Sequence, residues 1–152
     1  MTLTSLRMLD RLFGDAEEIN GHHRCPTYLY RWHLLRVGPV KVYLHRFVGE
    51  DWSLDLHDHP KRFISIGLAG YYYEQTALEP VRLRLYQAPW LRSFRPSHAH
   101  RIFVTPGREC WTLVLVGPTQ REWGFWHLDR KFIPWREYVL GHLGDARKAC
   151  AA

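Results

Sequence analysis

The stretch Leu56-His57-Asp58-His59-Pro60 decides how the rest of the chain is interpreted. A β-strand projects residues i and i+2 from the same face, so an extended chain places the imidazoles of His57 and His59 side by side. Two such imidazoles supply about half of the ligands of a metal site, because imidazole is a common ligand of zinc, iron, copper and nickel. The alternative is a pair of surface histidines in a loop before a proline. A second pair of the same spacing, His98-Ala99-His100, opens a later strand-like run and favours the metal site.

The sequence between residues 28 and 126 has the residue pattern of a β protein. Short runs of alternating apolar and polar residues are separated by glycine and proline turns, which predicts about nine strands in a sandwich or barrel. In the run at 40–48, inward-facing odd positions would place Tyr43 and His45 inside the barrel. A turn at Ala69-Gly70 is expected to make the run at 71–76 the hairpin partner of the run at 62–68. Helical spacing predicts short terminal helices at 4–13 and 134–143.

Length and composition are those of one globular domain over residues 1–152. Apolar residues make up 46% and charged residues 24%, and no apolar run approaches the roughly 20 residues that span a bilayer. The first residues lack the basic and apolar segments of a signal peptide, so we expect a cytoplasmic protein without a membrane partner. Three cysteines without a Cys-x-x-Cys spacing, Cys25, Cys110 and Cys150, are expected to be reduced thiols.

The chain carries a net charge of +6, and most of its basic residues are arginines. A positive charge favours anionic partners, and planar guanidinium groups suit carboxylates and phosphates. The arginines are dispersed over many predicted strands rather than massed in one basic segment. We therefore expect a small anionic substrate bound by a few pocket arginines, and we do not expect a nucleic acid.

These elements together resemble the cupin superfamily. The first cupin motif matches Gly49, His57, His59 and Gly70, with Phe63 where the motif has glutamate, and the second motif matches Pro96 and His100. A closer likeness is to uncharacterised bacterial and phage cupin-like proteins. That likeness is carried by His57 to Pro60, Gly70 to Glu74, His100-Arg101-Ile102 and Trp123 to Trp126. The resemblance implies a double-stranded β-helix, or jelly-roll, barrel with its core at about 28–126, and the usual cupin habit implies a homodimer.

The resemblance also implies a metal centre with His57, His59 and His100 as ligands. With phenylalanine in the glutamate position, the site is similar to the three-histidine centre of cupin thiol dioxygenases. The implied activity is that of a mononuclear non-haem Fe(II) dioxygenase, with molecular oxygen and a small anionic or thiol-containing molecule as substrates. Zinc, nickel or manganese are alternative metals, and zinc or nickel would imply isomerase, lyase or hydrolase chemistry. A non-catalytic barrel that binds a small ligand is a third hypothesis.

Further residues are candidates for roles around that centre. We predict Tyr73, His98 and Arg62 as catalytic residues: a phenol, a histidine near the metal and a guanidinium that grips a substrate carboxylate. His98 is alternatively a fourth ligand or a rim histidine, and Glu74 alternatively reaches the metal from a neighbouring strand. Residues that can replace Arg62 or Tyr73 in these roles are Arg84, Arg101, Tyr71 and Tyr86.

Overall fold

The computed structural model describes residues 3–20, 26–78, 80–127 and 129–142. Cys25 and Cys150 lie outside these ranges, as does the last residue of the helix expected at 134–143. Within them, Cys110 is buried and its thiol is free, in agreement with the expected reduced state. No helix in these ranges is both long and apolar enough to cross a membrane.

Strands make up most of the described chain, and helices stand only at its two ends. The N-terminal helix, predicted at 4–13, is α1 (Leu3–Phe13), and the C-terminal helix is α2 (Trp135–His142). Between them lie β1 (Glu17–Ile19), β2 (Leu29–Val37), β3 (Val40–Phe47), β4 (Leu56–His57), β5 (Lys61–Ala77), β6 (Arg82–Gln87), β7 (Trp90–Phe94), β8 (Arg101–Phe103), β9 (Cys110–Thr119), β10 (Gly124–Trp126) and β11 (Phe132–Pro134). The all-β prediction is therefore confirmed, although β1 and β11 fall outside the range predicted for the barrel core.

The strands form a large sheet and a small sheet. In the large sheet the order is β1-β2-β3-β9-β5-β6, and β7 and β8 also pair with β5. The small sheet has the order β11-β10-β4. Every pairing is antiparallel, and the large sheet curls around an interior cavity.

The predicted hairpin turn at Ala69-Gly70 is wrong. The chain continues through this point as one 17-residue strand, β5, which pairs with β7 and β9 before Gly70 and with β6 and β8 after it. The register with β9 shifts between Gly67 and Ala69, and Gly70 has a φ of 75°. A Cβ at Gly70 would collide with the carbonyl oxygen of Glu109, so the glycine serves a bulge that bends the strand rather than a turn that reverses it.

Side-chain alternation along β3 sorts residues between the barrel interior and the outer surface. Tyr43, His45 and Phe47 are buried and line the cavity, as the odd-position pattern predicts. On the outer face, Trp32 stacks on Trp111 with ring centroids 5.7 Å apart, and its indole nitrogen donates to Asp10 of α1 at 2.8 Å. These contacts hold α1 against the outside of the barrel and leave the interior to the candidate site.

Candidate metal centre

Three histidines converge because two chain segments are tied together by their backbones. The amides of His57 and His100 each donate to the other's carbonyl at 2.9 Å, and these bonds join β4 to the turn before β8. The amide of His59 donates to the carbonyl of Pro96 at 3.0 Å. His59 lies just beyond the end of β4, so its position depends on this turn contact as well as on strand periodicity.

The three rings form a tight cluster. Ring centroids are 5.1 Å apart for His57 and His59, 5.0 Å for His57 and His100, and 4.9 Å for His59 and His100. The Nε2 atoms of His59 and His100 are 2.8 Å apart, and one ligand nitrogen from each ring lies within 4.8 Å of the others. Two nitrogens bound to one ion at about 2.1 Å stand roughly 3 Å apart, so little movement is needed to share an ion.

Burial keeps two of these imidazoles in their neutral form. Desolvation lowers the pKa of His57 to about 4, although the nearby Asp51 carboxylate acts in the opposite direction. Desolvation and the neighbouring His100 hold the pKa of His59 well below its usual range. A neutral imidazole offers a ring lone pair without first losing a proton, so both rings are ready ligands at neutral pH.

Glu74 fixes the orientation of His100 from the side away from the cluster. Its Oε1 accepts hydrogen bonds from Nδ1 of His100 at 2.7 Å and from Nε2 of His98 at 2.9 Å. Its Oε2 accepts from Nη2 of Arg92 at 2.7 Å. With its proton on Nδ1, His100 presents the lone pair of Nε2 to His59, the arrangement found in carboxylate–histidine–metal sites.

The Glu74 carboxylate is 1% exposed and stays ionised. Burial acts to raise its pKa, but the hydrogen bonds from His100, His98 and Arg92 outweigh this and hold the pKa far below its usual range. Glu74, His98 and His100 also form a group whose ligand atoms lie close enough for an ion. In that group, however, both carboxylate oxygens already accept hydrogen bonds.

A second carboxylate lies beside His57. Oδ2 of Asp51 is 3.5 Å from Nδ1 of His57 and accepts the backbone N–H of Ile102 at 2.7 Å. Asp51 therefore favours a proton on Nδ1 of His57 and leaves its Nε2 for the cluster. Asp51 and Arg92 carry no sequence motif, and only the three-dimensional pairing of their segments reveals their roles.

The histidine cluster opens into a cavity of about 500 Å³ inside the large sheet. Beside the cluster its wall is aromatic: Phe63 meets the His59 ring edge-on with centroids 4.8 Å apart, and stacks on Phe94 at 4.5 Å. The same cavity is lined by Arg31, His45 and Thr112 from β2, β3 and β9. Arg31 and Thr112 could not be predicted as cavity residues from the sequence, because cross-strand pairing sets the register that places both on the cavity wall.

Solved structures with this architecture were found, although no protein-family model and no curated protein matches the chain. A double-stranded β-helix protein from Klebsiella pneumoniae has a TM-score of 0.52 at 14% identity, covering 77% of this chain and 92% of that one. The polyketide cyclase RemF from Streptomyces resistomycificus has a TM-score of 0.56 at 12% identity, covering 81% and 84%. HppE, solved in its Fe(II) form with an alternative substrate, has a TM-score of 0.50 at 12% identity, covering 67% and 55%.

The chain has the cupin fold. The double-stranded β-helix expected from the sequence is therefore confirmed. In this chain the position of the motif glutamate is occupied by Phe63, whose ring lies against His59. The three-histidine cluster thus has no carboxylate from the first motif, and its donors are three nitrogens.

These donors fit a divalent first-row metal. Three imidazole nitrogens in one cluster, with His100 oriented by the Glu74 carboxylate and His57 beside Asp51, match the ligand chemistry of iron, zinc and nickel. His57, His59 and His100 are the residues that would hold such an ion in this chain.

The predicted catalytic residues occupy three different environments. His98 lies behind the metal centre, where it donates to Glu74. Tyr73 is half-buried, with its ring against Tyr71, and Arg62 is exposed at the start of β5; neither lines the cavity. Of the alternative arginines, Arg84 is exposed and Arg101 donates to Glu50 at 3.1 Å. The cavity arginine is instead Arg31.

Proposed function

We propose that the protein is a mononuclear non-haem Fe(II) dioxygenase that acts on a small anionic or thiol-containing substrate. The observation that carries the proposal is the cluster of three histidines, without a first-motif carboxylate, at the wall of a cavity inside the large sheet. Bound iron would supply the redox chemistry that brings molecular oxygen and the substrate to reaction.

The protein residues favour an anionic substrate at this centre. Neutral imidazoles add no negative charge, so the full charge of a bound cation is available to attract an anion. The pKa of His57 and that of His59 are lowered by burial, which supports neutral ligands. Glu74 is close, but its charge is balanced by Arg92 at 2.7 Å, so it repels an incoming anion weakly.

The aromatic wall would exclude water from the reacting groups. Phe63 and Phe94 stack beside His59, and Phe125 lies 6.3 Å from the His57 ring, centroid to centroid. Apolar surroundings strengthen the electrostatic interactions of a bound substrate and protect reactive species from water. Support of another kind comes from HppE, a protein of similar fold that was solved in its Fe(II) form.

Oxygen consumption tests the proposal. The protein is loaded with Fe(II) without oxygen, and oxygen uptake is followed while a panel of small thiols, amino acids and carboxylates is added. We expect substrate-dependent uptake by the iron form and none by the zinc form or by the His57→Ala/His100→Ala variant. An iron-loaded protein that consumes no oxygen above the level of the double variant, with every compound tested, contradicts the dioxygenase proposal.

A second candidate is a zinc or nickel enzyme with isomerase, lyase or hydrolase chemistry. The donor set supports it equally, because three imidazoles bind zinc and nickel as well as iron. RemF, a cyclase by name, shows that a protein of this fold carries an activity other than dioxygenation. Tight zinc binding in the purified protein, together with an inert iron form, would favour this candidate.

A further inference from the structure

Asp58 stands between two of the candidate ligands, His57 and His59, and its carboxylate is completely enclosed. The residue is 0% exposed, and its two carboxylate oxygens accept hydrogen bonds from three donors. These donors are Nη1 of Arg121 at 2.6 Å, the backbone N–H of Gly124 at 2.9 Å and Nε1 of Trp126 at 3.0 Å. None of the roles argued above for the metal centre uses this carboxylate.

Backbone hydrogen bonds join the same two segments of the chain. The amide of Asp58 donates to the carbonyl of Gly124 at 3.0 Å. The carbonyl of Pro60 accepts the amides of residues 120 and 121 at 2.8 and 3.3 Å. We call these bonds, together with those to the Asp58 carboxylate, the clasp. It ties the segment around Asp58 to the segment that leads into β10.

The donors of the clasp belong to a packed part of the protein. β10 lies between β4 and β11, and a Cβ at Gly124 would collide with the carbonyl oxygen of Ile133, so β10 and β11 are in close contact. The ring of Trp126 lies against Phe132 with centroids 5.2 Å apart, and the Arg121 guanidinium is 5.7 Å from the centroid of the same ring. The clasp is therefore anchored in the small sheet.

Regular strand pairing does not reach both histidines of this segment. β4 has only two residues, Leu56 and His57, which pair with β10. His59 lies beyond that pairing and before β5, which begins at Lys61. Asp58 is covalently joined to both histidines, so a movement of its backbone moves them as well. Because a buried carboxylate that loses a donor is destabilised, the three donors restrain this backbone.

We propose that Asp58 is a positioning residue of the metal centre, which holds the imidazoles of His57 and His59 at the spacing that a shared ion requires. Both of its oxygens are occupied by donors and Arg121 balances its charge, so Asp58 acts through its backbone and not as a ligand. The inference rests on the proposed function in that the two imidazoles bind an ion. It assigns to the clasp the task of keeping the ligands within about 0.5 Å of their productive positions.

A clasp that only stabilises the small sheet and a clasp that positions ligands differ in one measurable respect. Both stabilise the fold, but only the second changes the geometry of a bound ion when it is weakened. The visible absorption spectrum of bound Co(II) reports that geometry, and competition with a chromophoric chelator gives the Kd for zinc. Urea unfolding of each metal-free variant measures the loss of stability separately.

Two variants weaken the clasp, and a third is their control. Asp58→Asn keeps the shape of the side chain but turns one acceptor oxygen into a donor that faces other donors. Trp126→Phe keeps an aromatic ring and removes a single donor. Asp10→Asn is the matched control, because Asp10 also accepts an indole N–H, from Trp32 at 2.8 Å, but on the outside of the barrel.

We expect Asp58→Asn to raise the Kd for zinc about tenfold to 100-fold, the usual effect of losing a group that orients a metal ligand. Its Co(II) spectrum should differ from that of the parent in the position and intensity of the visible bands. Trp126→Phe should raise the Kd by about threefold to tenfold, as expected for one hydrogen bond. Asp10→Asn should lower the free energy of unfolding and leave the Kd and the spectrum unchanged.

A folded Asp58→Asn variant with the zinc Kd and the Co(II) spectrum of the parent would overturn the proposal, as would equal changes in Asp10→Asn. If Asp58→Asn does not fold, Trp126→Phe is judged by the same criteria. If the parent binds no metal, the proposed function fails, and crystal structures of the metal-free parent and Trp126→Phe then test the positioning by itself. A displacement of the His57 or His59 ring by more than about 0.5 Å supports it, and unchanged ring positions reject it.

Discussion

His100 and Glu74 are joined by a hydrogen bond of 2.7 Å between Nδ1 of the imidazole and Oε1 of the carboxylate. Through this bond the histidine cluster is connected to Arg92, which donates to the other oxygen of Glu74. The carboxylate therefore does not complete the cluster as a ligand. It orients the ring of His100, which does belong to the cluster, and the half-buried Arg92 balances its charge.

Replacing Glu74 with glutamine should weaken metal binding about tenfold to 100-fold. The glutamine amide has one acceptor oxygen, whereas three donors now converge on Glu74, so one side-chain N–H would face another donor. The measurement is competition for zinc against a chromophoric chelator. Glu109→Gln is the matched control, because Glu109 pairs with Arg46 away from the cavity. Equal zinc affinity in the parent and Glu74→Gln would refute the orienting role.

Restoring the motif carboxylate at residue 63 should make the melting temperature of the protein depend more strongly on bound metal. Phe63→Glu places a carboxylate beside His59 in a buried aromatic wall, so the metal-free variant should be less stable than the parent. A bound cation would compensate the charge, and the rise in melting temperature on adding zinc should be larger than in the parent. Phe63→Gln, which has the same shape without the charge, is the control. A rise in Phe63→Glu no greater than in Phe63→Gln would place residue 63 outside the reach of the metal.

The free energy of unfolding should be smaller in mild acid than at neutral pH, and His45 should account for part of this difference. Its pKa in the folded protein is lowered well below 6.5, so below about pH 6.5 the unfolded chain binds a proton that the folded protein does not. This contribution to stability is present above the unfolded pKa and is lost as the pH falls, with a change on the order of 1 kcal/mol between pH 7.5 and 5.5. Urea unfolding of metal-free protein measures the free energy of unfolding at the two pH values. Between them, this free energy should fall by about this amount less in His45→Gln than in the parent. An identical loss in both proteins would contradict a neutral His45.

Cys110 should be inert in the folded protein. Its thiol is fully buried, and burial raises its pKa to about 12, so almost no reactive thiolate exists at pH 8. In a Cys25→Ser/Cys150→Ser background, iodoacetamide should label Cys110 only after unfolding, as followed by mass spectrometry. Rapid labelling under native conditions would show that the wall around Cys110 opens readily.

The sequence predicted the parts of the site that depend on local spacing. The two-residue spacing marked the pairs His57/His59 and His98/His100, and the resemblance to the cupin motifs selected His100 and identified the phenylalanine at residue 63. Strand alternation placed Tyr43 and His45 on one face of the strand, and the structure shows that this face lines the cavity. These features need no knowledge of which strand pairs with which.

The parts that depend on long-range register could not be predicted. Arg31 and Thr112 are 81 positions apart and line the same cavity only because β2, β3 and β9 pair in a specific register. Gly70 reads as a turn because glycine is common in turns, yet the collision of a Cβ with Glu109 shows that it serves a bulge in a long strand. An isolated arginine carries no local signal that distinguishes a cavity residue such as Arg31 from an exposed one such as Arg62.

Metal content tests the central claim most directly. The protein is purified without chelators and analysed by mass spectrometry for iron, zinc, nickel and manganese, beside His57→Ala/His100→Ala. His127→Gln is the control, because His127 is an exposed histidine that keeps a donor toward Asp55 after the substitution. We expect near-stoichiometric iron in the parent and the control, and none in the double variant. No metal in the parent, even after reconstitution with each ion, would contradict a metal centre in this protein.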